Sequence, residues 1–116
     1  MDKTKYDIAF QLITNAGNAK SAALMAIEAA REFDFAEAEA RMREADDEMQ
    51  QAHQAQTELI QSEASGNSVD VNIILVHAQD HLTMAMMAKE NAEEFIHLYK
   101  NMEKIMAKLG IENSLE

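Results

Sequence analysis

Cysteine and proline are absent from the 116 residues, and glycine occurs only three times. Without thiols there is no disulfide framework, no thiolate metal site and no cysteine nucleophile. With no proline and few β-branched residues, helix formers dominate throughout, which argues against a β-rich or α/β fold. Aromatic residues make up 5% of the chain and tryptophan is missing. No apolar run approaches the ~18 residues that a membrane span needs. The N-terminus, Met1-Asp2-Lys3-Thr4-Lys5, has no apolar signal core behind its charges, so the expectation is a soluble cytoplasmic protein. Positive charge is scarce as well: 10 Lys and Arg stand against 21 Asp and Glu, a net charge of -11. A nucleic-acid binder needs a basic face to displace counterions, and none is visible; anionic membrane surfaces are disfavoured for the same reason.

Alanine, by contrast, is abundant. It supplies 20 residues, while Leu, Ile, Val and Phe together supply 24 and Met another nine. The length is that of one domain, residues 1–116, with a core that is possible but thin. A core rich in Ala and Met implies that association completes the burial. Ten acids fall within residues 32–64 against Arg41 and Arg43 alone. That run reads as a solvated helix face or, more sharply, as a docking surface for a basic partner.

Sparse punctuation divides the chain into three helical segments, at about 4–31, 35–64 and 69–109, with a polar tail over 110–116. At the first pause Asp34 is a plausible N-cap, with Glu37 at capping-box spacing. At the second, Ser65-Gly66-Asn67-Ser68, Gly66 can close one helix and Ser68 can cap the next. Steps of three and four residues carry Ile8, Leu12, Ala16, Ala19, Ala23, Ile27 and Ala30 in the first segment, and Ala38, Met42, Ala45, Met49, Ala52, Gln56, Leu59 and Glu63 in the second. The third has a narrow seam running from Ile73 and Val76 through Asp80, Met84, Met87, Asn91, Phe95, Leu98, Met102 and Ile105 to Leu109. It also has a second row, Ile74, Ala78, Ala85, Ala88, Ala92 and Ile96. The expected fold is all-α, an antiparallel three-helix bundle. A helix apolar on two sides needs a further partner, and another subunit is the economical choice.

Polar groups interrupt the most hydrophobic passage, Ile73-Ile74-Leu75-Val76-His77-Ala78-Gln79-Asp80-His81-Leu82. At about 100° per residue, His77, Asp80 and His81 share one sector of the helix. Asp80 lies on the seam, where a carboxylate is costly unless it is paired or metal-bound. Three readings compete. The residues are satisfied core groups that fix register; or His77 and His81, at i and i+4, form half of a metal site with Asp80 as third ligand; or one histidine is a nucleophile that accepts a phosphoryl group. His53 beside Ala52 reads as packing, His97 as structural or exposed, and the run Met84, Met86 and Met87 as core filler.

Val76-His77-Ala78-Gln79-Asp80-His81-Leu82 resembles the signature of the lactose/cellobiose/diacetylchitobiose class of enzyme IIA proteins of the bacterial sugar phosphotransferase system. Ile13-Thr14-Asn15-Ala16-Gly17-Asn18-Ala19-Lys20-Ser21, Ala52-His53-Gln54-Ala55-Gln56-Thr57 and Glu63-Ala64-Ser65-Gly66 are similar to the same family, in the right order. The resemblance implies a cytoplasmic homotrimer of three-helix subunits. It implies that His77 takes phosphate from the histidine-containing phosphocarrier protein and passes it to a cysteine of the cognate IIB, for uptake of a β-glucoside, chitobiose or lactose-type disaccharide. It further implies that Asp80 meets its symmetry mates on the threefold axis and shares a divalent cation such as magnesium, and that Gln79 and His81 shape the site. Two departures stand out: Phe33 occupies a place where the family usually has glycine, and Thr83-Met84 inverts the usual order. Two alternatives lie in other classes, a purely structural helical bundle, in which His77 is dispensable, and a metal-binding helical protein using His77, Asp80 and His81.

Overall fold

The computed structural model describes residues 5–68 and 70–111. Three helices, α1 (Lys5–Arg31), α2 (Phe35–Ala64) and α3 (Ile73–Lys108), account for nearly all of them, with no strand among the described residues. The expected start near residue 4, and the tail from 112 onward, lie outside that range.

Local chemistry sets the boundaries. The Asp34 carboxylate accepts from the Glu37 backbone N–H at 3.2 Å and starts α2 as expected. Only half of the capping box forms, because Glu37 turns its own carboxylate to Arg41 at 2.8 Å. Gly66, at φ +89°, closes α2 in the left-handed conformation. The cap of α3 is a correction: it is Asn72, whose side chain accepts from Leu75 N at 2.9 Å, and not Ser68. An Asx cap next to Ile73-Ile74 wins because it sits immediately before the apolar run, so α3 starts four residues later than the spacing suggests.

Phe33 makes the first turn with φ 60°. A left-handed non-glycine residue costs about 1–2 kcal/mol. Phe33 recovers part of that by stacking on Phe35, ring centroids 6.1 Å apart. Phe33→Gly should therefore unfold at a higher urea midpoint than Phe33→Ala, since both lose the stack but only glycine relieves the backbone. The reverse order would show that the turn carries no strain.

α1 lies between the other two helices and packs along both, while α2 and α3 touch each other over a short stretch. The contacts are lined by alanine. Ala16, Ala23 and Ala30 of α1, Ala38, Ala45 and Ala52 of α2, and Ala78, Ala85 and Ala92 of α3 are wholly buried. Among large described side chains only Leu12 is so completely enclosed. Side chains this small let helix axes approach closely, near the ~8 Å end of the usual range. The subunit is a rod, 63 × 23 × 21 Å.

The two rows of α3, which the sequence leaves unassigned between core and partner, separate in the structure. The alanine row packs against α1, and the bulkier seam faces outward: Met87 is 58% exposed, Phe95 45% and Leu98 58%. An alanine-lined α1 has room for a row of methyls and none for a row of Met, Phe and Leu. Met84, Met86 and Met87 are accordingly surface residues of the subunit, not core filler.

Polar ties join the helices. The buried Asn15 donates to Glu48 at 2.8 Å and to Gln51 at 3.3 Å, linking α1 to α2. Lys89 meets Asp46 at 2.8 Å between α3 and α2. The hydrogen bond to Asp46 holds the Lys89 ammonium above its ordinary pKa against the opposing effect of burial.

Candidate functional site

Asn72 fixes the first turn of α3, and the helix then carries four polar residues at one end of the rod. His77 and His81 lie one turn apart with their Nε2 atoms 3.0 Å from each other. The rings are perpendicular, with centroids at 4.5 Å. A bond between two imidazole nitrogens needs one donor and one acceptor, so one facing Nε2 carries the proton and the other presents its lone pair. His77 is exposed and His81 half-buried.

Beside the pair, Phe10 and Ile13 of α1 and Ile73, Ile74 and Val76 of α3 line an open cleft of about 370 Å³, with His77 and Asp80 on its wall. The cleft is apolar apart from those two. Asp80 is exposed in the subunit, so the expected penalty for a carboxylate on the seam does not arise within one copy. No group of three or more His, Asp or Glu side chains gathers to hold a metal among the described residues, so the sequence-level triad of His77, Asp80 and His81 does not close within the subunit.

Gln79 points away from this face. Its amide donates to Gln56 Oε1 at 2.7 Å and receives the Gln56 amide at 2.8 Å, a two-way bond between α3 and α2. Gln56 is the residue that pattern reading missed as part of the site. Its position in the apolar row of α2, in step with Ala52 and Leu59, was the available signal. His53 and His97 stand on exposed positions of α2 and α3; His53 does not pack as expected.

The family profile for the lactose/cellobiose-specific IIA subunit of the PTS system matches residues 7–100, which include the whole His77–His81 face. The chain belongs to that family. It is a phosphotransferase-system IIA component and therefore part of a phosphoryl relay. The lichenan-specific phosphotransferase enzyme IIA component of Bacillus subtilis is 44% identical over 110 residues, covering 95% of this chain and 97% of that protein. The crystal structure of the cellobiose-specific enzyme IIA of Bacillus anthracis superposes with a TM-score of 0.84 at 47% identity, covering 89% of this chain and 95% of that one. A solution structure of the chitobiose IIA of Escherichia coli in complex with HPr gives a TM-score of 0.76 at 35% identity, over 88% of this chain and 99% of its own. All-α architecture and three helices are thus common ground for this IIA subunit and its solved relatives. No described helix is long and apolar enough to cross a membrane.

Proposed function

We propose that His77 is the phosphoryl acceptor of this IIA subunit and that Nε2 is the accepting atom. The observation that carries this reading is the 3.0 Å approach of His81 Nε2, which sets a donor beside the atom that must receive the group. Attack needs an unprotonated nitrogen, an in-line path and donors for the equatorial oxygens. With the proton on His81 Nε2, His77 Nε2 has its lone pair. As the phosphoryl group arrives, a nitrogen–phosphorus bond breaks on the donor and another forms on His77. The N–H of His81 can then turn from nitrogen to a phosphoryl oxygen. Onward transfer breaks the bond at His77 as phosphorus bonds to the acceptor's sulfur. Gln79, locked to Gln56, holds α2 and α3 in register beneath the site rather than touching the phosphorus.

The donor is the histidine-containing phosphocarrier protein, the HPr class seen with the chitobiose IIA relative, and the acceptor is a cysteine of the cognate sugar-specific IIB in the cytoplasm. The sugar is of the β-glucoside, chitobiose or lactose disaccharide type, a reading supported by relatives named for lichenan, diacetylchitobiose, lactose and cellobiose. Incubating the chain with phosphoenolpyruvate, the general phosphotransferase proteins and HPr should add a single acid-labile phosphoryl group, mapped by fragmentation mass spectrometry to His77 itself. A group mapped to His53, His81 or His97 would overturn the assignment.

The outward seam of α3 is the assembly face of a homotrimer. Its exposed Phe95, Leu98, Met87 and Val76 are the bulk that the alanine core leaves out. On this arrangement Asp80, in the same row, meets its two symmetry mates on the threefold axis. One subunit offers a single carboxylate there, so a cation is held only between copies. Three carboxylate oxygens suit a hard ion such as magnesium. Magnesium should raise the thermal midpoint of the wild-type assembly, and Asp80→Asn should remove that response. An undiminished response in Asp80→Asn would place the ion elsewhere.

A further inference from the structure

Two imidazole nitrogens facing each other at 3.0 Å on consecutive turns have a second use. We infer that His77 and His81 form a chelating site for a late first-row divalent metal of the nickel, copper and zinc class, and that its occupation blocks phosphoryl acceptance. The second half of this rests on His77 being the acceptor; the first half does not.

Metal–nitrogen bonds of about 2.0–2.1 Å to nitrogens held at this separation enclose an angle of roughly 91–97°. That matches adjacent positions of a square or octahedral ion, the preference of copper(II) and nickel(II). Tetrahedral zinc would need the nitrogens about 0.3 Å further apart, a small movement for an exposed ring. Imidazole suits these metals, whereas magnesium prefers oxygen and does not compete for the pair. Both rings must present a lone pair at Nε2, so the ring that donates in the free state moves its proton to Nδ1 through solvent, without net release from a neutral pair. Water fills the remaining coordination positions, since His77 is exposed and no third protein ligand joins the pair among the described residues of the subunit.

The spacing is built in. Both residues lie within one continuous helix, one turn apart, so the chelate needs no loop to close. Chelation consumes the same Nε2 lone pair that attack on phosphorus requires. Metal and phosphate are therefore mutually exclusive on His77.

Nickel(II) titrated into the full chain against a chromophoric chelator tests the site. The expected result is one nickel per subunit in the wild type. Removing a ligand should cost at least the roughly tenfold that loss of an outer-shell partner costs, so His81→Ala should weaken binding by that factor or more. His53→Ala and His97→Ala should keep the wild-type affinity, and excess magnesium should displace nothing. Phosphoryl uptake from phosphorylated HPr is then measured with and without nickel, each variant normalised to its own metal-free rate. Nickel should suppress uptake by the wild type and leave the normalised rate of His81→Ala unchanged. Equal nickel affinity in His81→Ala and wild type would overturn the site. Binding that depends on both histidines, with wild-type uptake indifferent to nickel, would overturn the block. His77→Ala separates the two readings: if it loses nickel but still accepts phosphate, the chelate stands and the acceptor assignment falls.

Discussion

The His77→Ala chain should keep the helix content of the wild type and take up no phosphate at all. His77 is exposed and contributes little to packing, so its truncation should move stability by no more than about 0.5 kcal/mol. On the proposed reading the chemical consequence is total, and uptake at His53, His81 or His97 in this variant would overturn it. His81 has its ring half-buried. His97 is twenty residues further along α3, about 30 Å by helical rise. His81→Ala, in contrast, should still be phosphorylated at His77 but more slowly, since it loses the donor and keeps the acceptor. Mass spectrometry under a time course distinguishes the two variants. Phosphate persisting in His77→Ala would remove His77 from the relay.

A charge placed in the outward row of α3 should have the largest structural effect. Phe95→Glu should convert the assembly into monomers that remain helical. Phe95 is 45% exposed in the subunit, and its neighbour Leu98 is 58% exposed. Covering side chains of this size from water is worth up to about 1.5–3 kcal/mol each. In the proposed trimer, symmetry applies the gain three times, and applies the cost of burying an unpaired carboxylate three times as well. Sedimentation equilibrium at micromolar concentration should give about three subunits per particle for the wild type and one for the variant, with circular dichroism little changed. A trimer that survives Phe95→Glu would move the assembly face elsewhere. A wild-type monomer would remove the axial arrangement of Asp80 altogether.

Much of this was legible in the order of the residues. Asp34 with Glu37, and Gly66 after a helical run, marked boundaries that the structure reproduces, because capping is a local interaction between residues close in sequence. The first two helices bury the rows that periodicity selects, from Leu12 to Ala30 and from Ala38 to Leu59. The third offers two rows and the subunit buries only the one rich in alanine, for a reason that is not local. Which of two apolar rows faces inward depends on the width left by α1, and periodicity records where apolar side chains are but not how much room stands opposite. The same gap misplaced Met84, Met86 and Met87. His77, Asp80 and His81 were visible through their common sector on a helix. The pairing of His77 with His81 to the exclusion of Asp80 depends on ring orientation, which spacing does not encode. Gln56 was hidden because its partner Gln79 lies on another helix.

In the single subunit His77 is an exposed side chain on an elongated rod, next to a cleft that is open to water. If His77 is the acceptor, as proposed, a phosphoryl group there stands where water can reach it between encounters. The fraction of phosphate delivered is then a race between hydrolysis and the arrival of the next protein. The subunit can influence the race by withholding a base that would activate the water. Its success depends on how many acceptor molecules surround it, so a scarcity of IIB should appear first as wasted phosphoenolpyruvate and only later as slower sugar entry.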